Sequence, residues 1–435
     1  MLPAMTTSCS RLMWKVLRAN DIKFCIPLYR RCLSTTPPPS RPGRKRIPWF
    51  HELIDVFTIY TKQDEQMSSL PPAPKSTDGL VPRTMADSYV ECMIDLQDPA
   101  QAMKYSNALG GLRIGRILED LDMVGVLILA AASCYKHSVP DQTLMRSPLV
   151  IVTSMTEKLE MSTATIDTAT CNLKFSSHVA WTGRSTLEVP LTVSLIDVKD
   201  NRKETPIMTS VFIYNARDHK DGSAACVHPL ISTNDEEEKR IKEGAEKHQQ
   251  RKLISSDFYW KSPPSVEERN VIHDVFLESL DPQSLSLTER ILPPDSEWME
   301  CTKKTIALPA PPDVSNVYGT VFGGYIMRTA AELAFTTGAM FSKGPVTFLH
   351  VSDIQFKAPS KIASILIFTG EIAYTEGNRM HVRVQTDVTD MITKYTSNTS
   401  HWIVSSPQKL PRVIPKTYGE FMLYLDARRR FKEVK

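Results

Sequence analysis

A chain of 435 residues with 42% hydrophobic content can bury a large core, and its length predicts two or three domains rather than one. Its formal charge of +3 gives no reason to expect a nucleic-acid partner. Of the eight cysteines, Cys9, Cys25 and Cys32 sit near the start and Cys92, Cys134, Cys171, Cys226 and Cys301 are scattered without a CxxC spacing, so neither a zinc site nor a disulfide framework is expected.

In chain order, segment 1–33 carries Arg11, Lys15, Arg18, Lys23, Arg30 and Arg31 with Asp21 as its one acid. That is the composition of a mitochondrial transit peptide, and Arg31-Cys32-Leu33-Ser34 resembles a matrix-protease cleavage site, so a matrix location is expected. The competing reading is a disordered basic tail. Residues 34–82 are rich in proline and charge and read as an arm, with one amphipathic piece from His51 to Tyr60.

A first folded unit, 83–216, opens with a strand around Ser88 to Ile94 and a helix from Arg116 to Ser133. Four β-patterned runs follow, Leu149 to Met155, Asn172 to Ala180, Ser185 to Val198 and Ile207 to Ala216. The longest apolar stretch, Met123 to Cys134, is too short to cross a bilayer, so no stable membrane span is expected. Segment 217–289 reads as a charged helical connector, because a run of acids begins at Asp235 and Ser265-Val266-Glu267-Glu268 has the pattern of a capping box.

The second unit, 290–406, restates the order of the first. A strand from Trp298 to Leu308 precedes a helix from Gly324 to Phe341, and strands follow at Val346 to Phe356, Ala363 to Tyr374, His381 to Val388 and Thr396 to Val404; a tail, 407–435, closes the chain. Leu173-Lys174-Phe175-Ser176 and Ile354-Gln355-Phe356-Lys357 read as matching strand starts. One helix and several strands, twice over, predict an α+β protein built from two copies of an antiparallel sheet wrapped around a central helix.

Both units also share a phrase, a glycine feeding an apolar helix. Gly115 leads into Arg116-Ile117-Leu118-Glu119-Asp120-Leu121-Asp122, whereas Asn316, Gly319, Phe322, Gly323 and Gly324 lead into Tyr325-Ile326-Met327-Arg328-Thr329-Ala330-Ala331. Counted from the two glycines, Asp122 and Ala331 fall at the same offset. Helical spacing sets Asp122 on an apolar stripe with Leu118 and Val126, where burial raises a carboxylate's proton affinity towards working pH; Glu119 lies beside it and Asp120 reads as solvated. Phe322-Gly323-Gly324 lets backbone approach a ligand and directs the N–H groups of a helix start at it, and Asn316 can hold a water or a carbonyl.

At these residues, Asn316 through Phe341, the chain resembles the hotdog-fold acyl-coenzyme A thioesterases. The tandem layout, the connector and the tail Pro415-Lys416-Thr417-Tyr418-Gly419-Glu420 are similar to the mitochondrial acyl-CoA thioesterase 9 group. The resemblance implies tandem hotdog domains that hydrolyse fatty acyl-CoA at their interface. It implies that Asp122 activates the attacking water or attacks directly, that Asn316 orients the water or thioester, and that the Gly324 N–H polarises the carbonyl. No cofactor or metal is implied, since coenzyme A is part of the substrate, and a homo-oligomer is expected.

An acyl chain is expected between the central helices, lined by Leu118, Val126, Met327 and Leu333, with Phe322 and Gly323 beside the thioester. The mirror site departs from the pattern: Arg113-Ile114-Gly115 stands for Phe-Gly-Gly, Asn107 sits in a differently composed loop, and Glu332 is one residue late, roughly 100° round the helix from the acid position. Two rival readings stay open: a hotdog acyl-thioester hydratase or dehydratase, which usually needs an Asp/His pair that neither helix motif supplies, and a non-catalytic acyl-CoA-binding protein.

Overall fold

The repeated order of the sequence is built as two antiparallel half-sheets that meet edge to edge. In the computed structural model, the structure describes residues 50, 72–107, 111–123, 149–161, 170–199, 203–253, 263–281, 283–284, 287, 289–315, 319–390 and 392–433. The expected transit peptide, the piece from His51 to Tyr60, Val126 and Asn316 lie outside these residues.

In the first unit, β1 (Val90–Ile94) leads through α1 (Pro99–Tyr105) to the central helix α2 (Ile114–Met123), followed by β2 (Leu149–Met161), β3 (Cys171–Ser177), β4 (Trp181–Thr182), β5 (Thr186–Asp197) and β6 (Glu204–Asp218). Helices α3 (Asp235–Leu253) and α4 (Val266–Glu278) form the connector. The second unit runs β7 (Ser296–Trp298), β8 (Lys304–Pro309), central helix α5 (Gly323–Ser342), β9 (Thr347–Phe356), β10 (Ile365–Glu376), β11 (Arg379–Thr389) and β12 (Lys394–Ser405). The expected tail folds as β13 (Arg412–Ile414) and α6 (Tyr418–Glu433).

Among the described residues one 11-stranded sheet has the order β1-β3-β5-β6-β2-β9-β12-β11-β10-β8, with β4 pairing β5 off this path. The order is a palindrome about the β2/β9 contact, so β2 corresponds to β9 and β3 to β10. That corrects the matching of Leu173–Ser176 with Ile354–Lys357: the former lies in β3, whereas Ile354–Phe356 ends β9. The seam is antiparallel, with Met155 opposite Gln355 and Glu157 opposite Asp353, and it occupies two strand edges that would otherwise present unpaired backbone groups.

Each central helix lies against its sheet with an apolar face. Ile117, Leu118 and Leu121 of α2 and Ile326, Met327, Ala330, Leu333 and Ala334 of α5 are buried in one continuous core with the strands. Burying each large aliphatic side chain contributes roughly 1.5–3 kcal/mol. The connector and the last helix cover other surfaces: Arg251 of α3 pairs with Glu157 and Glu188, and Arg429 of α6 donates to Glu268 of α4. On β11 the side chains alternate, Met380 towards Gly338 of α5 and His381 towards His401, which lies beside Asp426 of α6, so α5 and α6 flank opposite sides of the second half-sheet.

Asp120 is corrected from solvated to fully buried; the Tyr105 hydroxyl donates to it and Arg116 pairs with it. Its partner comes from α1, which the hydrophobic pattern did not reveal, although Asp98 before Pro99 is an N-cap signal and caps the Ala100 N–H in the structure.

The two central helices cross antiparallel, each start against the second turn of the other. A Cβ on Gly115 would lie 3.0 Å from the Arg328 carbonyl oxygen and 3.3 Å from the Ala331 Cβ; one on Gly324 would lie 2.8 Å from the Glu119 oxygen and 3.0 Å from the Asp122 Cβ. Contacts that close force backbone apart. Gly324→Ala is therefore expected to destabilise by about 1–3 kcal/mol and Gly115→Ala by less. Thermal unfolding midpoints check this, and a Gly324→Ala protein as stable as the unsubstituted one would contradict the close crossing.

Candidate active site

The crossing that demands glycine also brings the two halves of the repeated phrase together. Asp122 stands in the last described turn of α2 and is fully buried. Its Oδ2 accepts a hydrogen bond from the Gly324 N–H at 2.5 Å, and its Oδ1 accepts one from the Thr153 hydroxyl of β2 at 2.6 Å. One carboxylate is thus fixed by its own unit's sheet and by the other unit's helix.

The position of Gly324 explains its N–H. It is the second residue of α5, and the first N–H groups of a helix have no intrahelical acceptor and lie at the positive end of its dipole. Gly323, just before it, makes room: a Cβ there would lie 3.1 Å from Asp122 Oδ2 and 3.1 Å from the Phe356 ring. Phe322 stands at the N-cap position of α5, and both it and Phe356 pack, partly buried, against the core.

Burial dominates the acid's electrostatics. It pushes the Asp122 carboxyl up to about 6, and the negative charge of Glu119 pushes the same way, while the Thr153 and Gly324 hydrogen bonds act against both. A carboxylate poised there is a usable proton acceptor near neutral pH. The chemistry available is base catalysis at a helix start that can also stabilise developing negative charge.

Of the residues expected from the sequence, Asp122, Phe322, Gly323 and Gly324 come together. The Gly324 N–H, expected to face a thioester carbonyl, is given to Asp122 in this structure. Leu118, Met327 and Leu333 are buried core residues, Met327 beside Thr156 of β2 and Leu333 against Gly370 of β10. Asn316 and Val126 lie outside the described residues. The sequence alone does not mark Thr153 or Phe356 as site residues. Thr153 follows the apolar run Leu149-Val150-Ile151-Val152, and nothing in that pattern points across the fold to α2.

The mirror position departs from this arrangement. Ala331 replaces the acid and Ile114 occupies the place of Gly323. Arg113, in the place of Phe322, donates from Nε and Nη2 to Glu332 Oε1 at 3.0 and 2.5 Å. Asn107 closes its own loop, accepting from the Gly111 N–H at 3.0 Å and donating to the Leu112 oxygen at 3.3 Å.

No protein-family model matches the chain. It is 38% identical over 390 residues to acyl-coenzyme A thioesterase 9, mitochondrial, of Mus musculus, covering 88% of this chain and 87% of that one. It is 37% identical over 363 residues to the Homo sapiens protein of the same name, with 83% and 80% covered. Among solved structures, a putative oleoyl thioesterase from Lactobacillus plantarum covers 74% of this chain and 96% of its own, at 8% identity and a TM-score of 0.43. Likeness at this level to the Mus musculus protein, along nearly the whole of both chains, makes this chain a member of the mitochondrial acyl-coenzyme A thioesterase 9 family.

Proposed function

We propose that this chain hydrolyses fatty acyl-CoA to free fatty acid and coenzyme A in the mitochondrial matrix, at a single site between its two hotdog units, with Asp122 as the base. The observation that carries the reading is the buried Asp122 carboxylate hydrogen-bonded to the start of the other unit's central helix.

Asp122 accepts a proton from a water whose oxygen attacks the thioester carbonyl carbon. Negative charge collects on the carbonyl oxygen near the start of α5, where the positive end of the helix dipole favours it while the Gly324 N–H itself holds Asp122. Collapse of the tetrahedral intermediate breaks the carbon–sulfur bond, and the proton held by Asp122 passes to the departing thiolate. Asn316 has the loop position to orient the water or the thioester. The resemblance supports a homo-oligomer, such as a trimer of tandem pairs.

The mirror position supports no second turnover, because its acid place holds alanine and Glu332 is engaged by Arg113. That pair is about two-fifths exposed, so it contributes little to stability, roughly 0–1 kcal/mol.

Palmitoyl-CoA turnover, with thiol release followed by a disulfide reagent, tests the assignment. Asp122→Asn is expected to lower kcat by about 10²–10⁴-fold, and unchanged turnover would move the base elsewhere. Glu332→Gln is expected to leave turnover within about twofold; a loss comparable to that of Asp122→Asn would mean the wrong acid has been chosen.

A base must be ionised to work. With its carboxyl pushed up to about 6, kcat/KM should be level above that pH and fall about tenfold per unit below it. Stability moves the other way. The folded protein holds this proton more tightly than the unfolded chain, so burying the ionised form destabilises increasingly as pH rises from about 4 to about 6. Asp122→Asn should therefore gain thermal stability relative to the unsubstituted protein at pH 8 but not at pH 4; the opposite ordering would show that the carboxylate is stabilised where it lies.

A further inference from the structure

Beside the base lies a charged pair that the proposed chemistry has not used. Glu119 and Arg328 occupy equivalent places, each one turn past its glycine, and each supplies the carbonyl oxygen against which the opposite glycine packs. In two identical helices these positions would carry the same charge and repel across the pseudo-twofold. Here they are opposite. Arg328 Nη1 donates to Glu119 Oε2 at 2.7 Å, and Arg116 Nη1 donates to the same oxygen at 2.6 Å.

Glu119 lies one helical turn before Asp122, on the same face, and its side chain is only 14% exposed. Among the described residues, the groups that face Asp122 come from β2, α5, β9 and its own helix. Thr153 reaches it from β2, the Gly324 N–H from α5, and the Phe356 ring stands nearby on β9. From its own helix the charged neighbour is Glu119, because Asp120 turns away to Tyr105 and Arg116. A second carboxylate so close opposes ionisation of the first, and the cations paired with Glu119 lessen that opposition.

We propose that Arg328 is a positioning residue for the reaction: by holding Glu119 across the seam and, together with Arg116, offsetting its charge, it favours the ionised form of Asp122 at working pH. The proposal rests on Asp122 being the base. It gives the α2–α5 contact a chemical role besides packing, since the domain without the acid supplies the cation that tunes it.

The test is the pH dependence of kcat and KM for palmitoyl-CoA, measured on the full chain for Arg328→Met, Arg328→Lys, Glu119→Gln and the double variant Glu119→Gln/Arg328→Met. Arg328→Met should move the acid limb of kcat/KM up by ~0.5–1 pH unit, losing more activity at pH 6 than at pH 8, while Arg328→Lys keeps the limb near its original place. Glu119→Gln should move it down, and the double variant should follow Glu119→Gln. An Arg328→Met protein slowed equally at every pH, with its limb unmoved, would show a merely structural role. A rise in KM alone would show that Arg328 instead contacts substrate. If Arg328→Met does not fold, the Arg328→Lys and Glu119→Gln profiles still decide, and a Glu119→Gln limb that stays in place overturns the proposal. An acid limb that persists in Asp122→Asn overturns the base assignment itself, which separates that failure from this one.

Discussion

The hydrogen bond from the Gly324 N–H to Asp122 Oδ2 is the constraint around which the rest of the structure is arranged. It requires the start of one central helix to lie against the second turn of the other. That approach is possible because Gly115, Gly323 and Gly324 lack side chains where a Cβ would meet backbone, the carboxylate or a ring. The antiparallel β2/β9 seam holds the two units in the register that brings the helices together. Packing, sheet closure and the electrostatics of one carboxylate are therefore parts of one arrangement.

Tandem duplication explains why the arrangement is asymmetric. A twofold assembly of identical chains would carry two equal sites and would set like residues against each other on the axis. Joined in one chain, the copies are free to differ. Asp122 faces Gly323 in one place, while Ala331 and Ile114 take the corresponding places in the other. Arg113 and Glu332 add an ion pair there, and Glu119 and Arg328 pair across the axis itself. Exchanging an acid and a glycine for an alanine and an isoleucine keeps a helix crossing without the buried carboxylate.

The local parts of this design were legible in the sequence. The helix with Asp122, the glycine-led start of α5 and most strands are written in short-range periodicity, and the repeat made the two units comparable. What depends on distant partners was not. Asp120 reads as solvated on a helical wheel, yet Tyr105 from α1 meets it in the core. Leu173–Ser176 and Ile354–Lys357 look alike as short alternating runs, but only strand pairing shows that β3 corresponds to β10 and β2 to β9. Thr153 and Arg328 reach the site from a strand and a helix whose meeting with Asp122 and Glu119 is tertiary.

A structure of the Asp122→Asn protein with an intact long-chain acyl-CoA bound tests the single interfacial site most directly. The thioester carbon should lie within about 3–4 Å of a water held by the residue-122 carboxamide, with its carbonyl oxygen at the start of α5 and the mirror position beside Ala331 and Ile114 empty of ligand. A thioester seated at that mirror position, or away from the seam altogether, would contradict the assignment of Asp122 and Gly324 to one site.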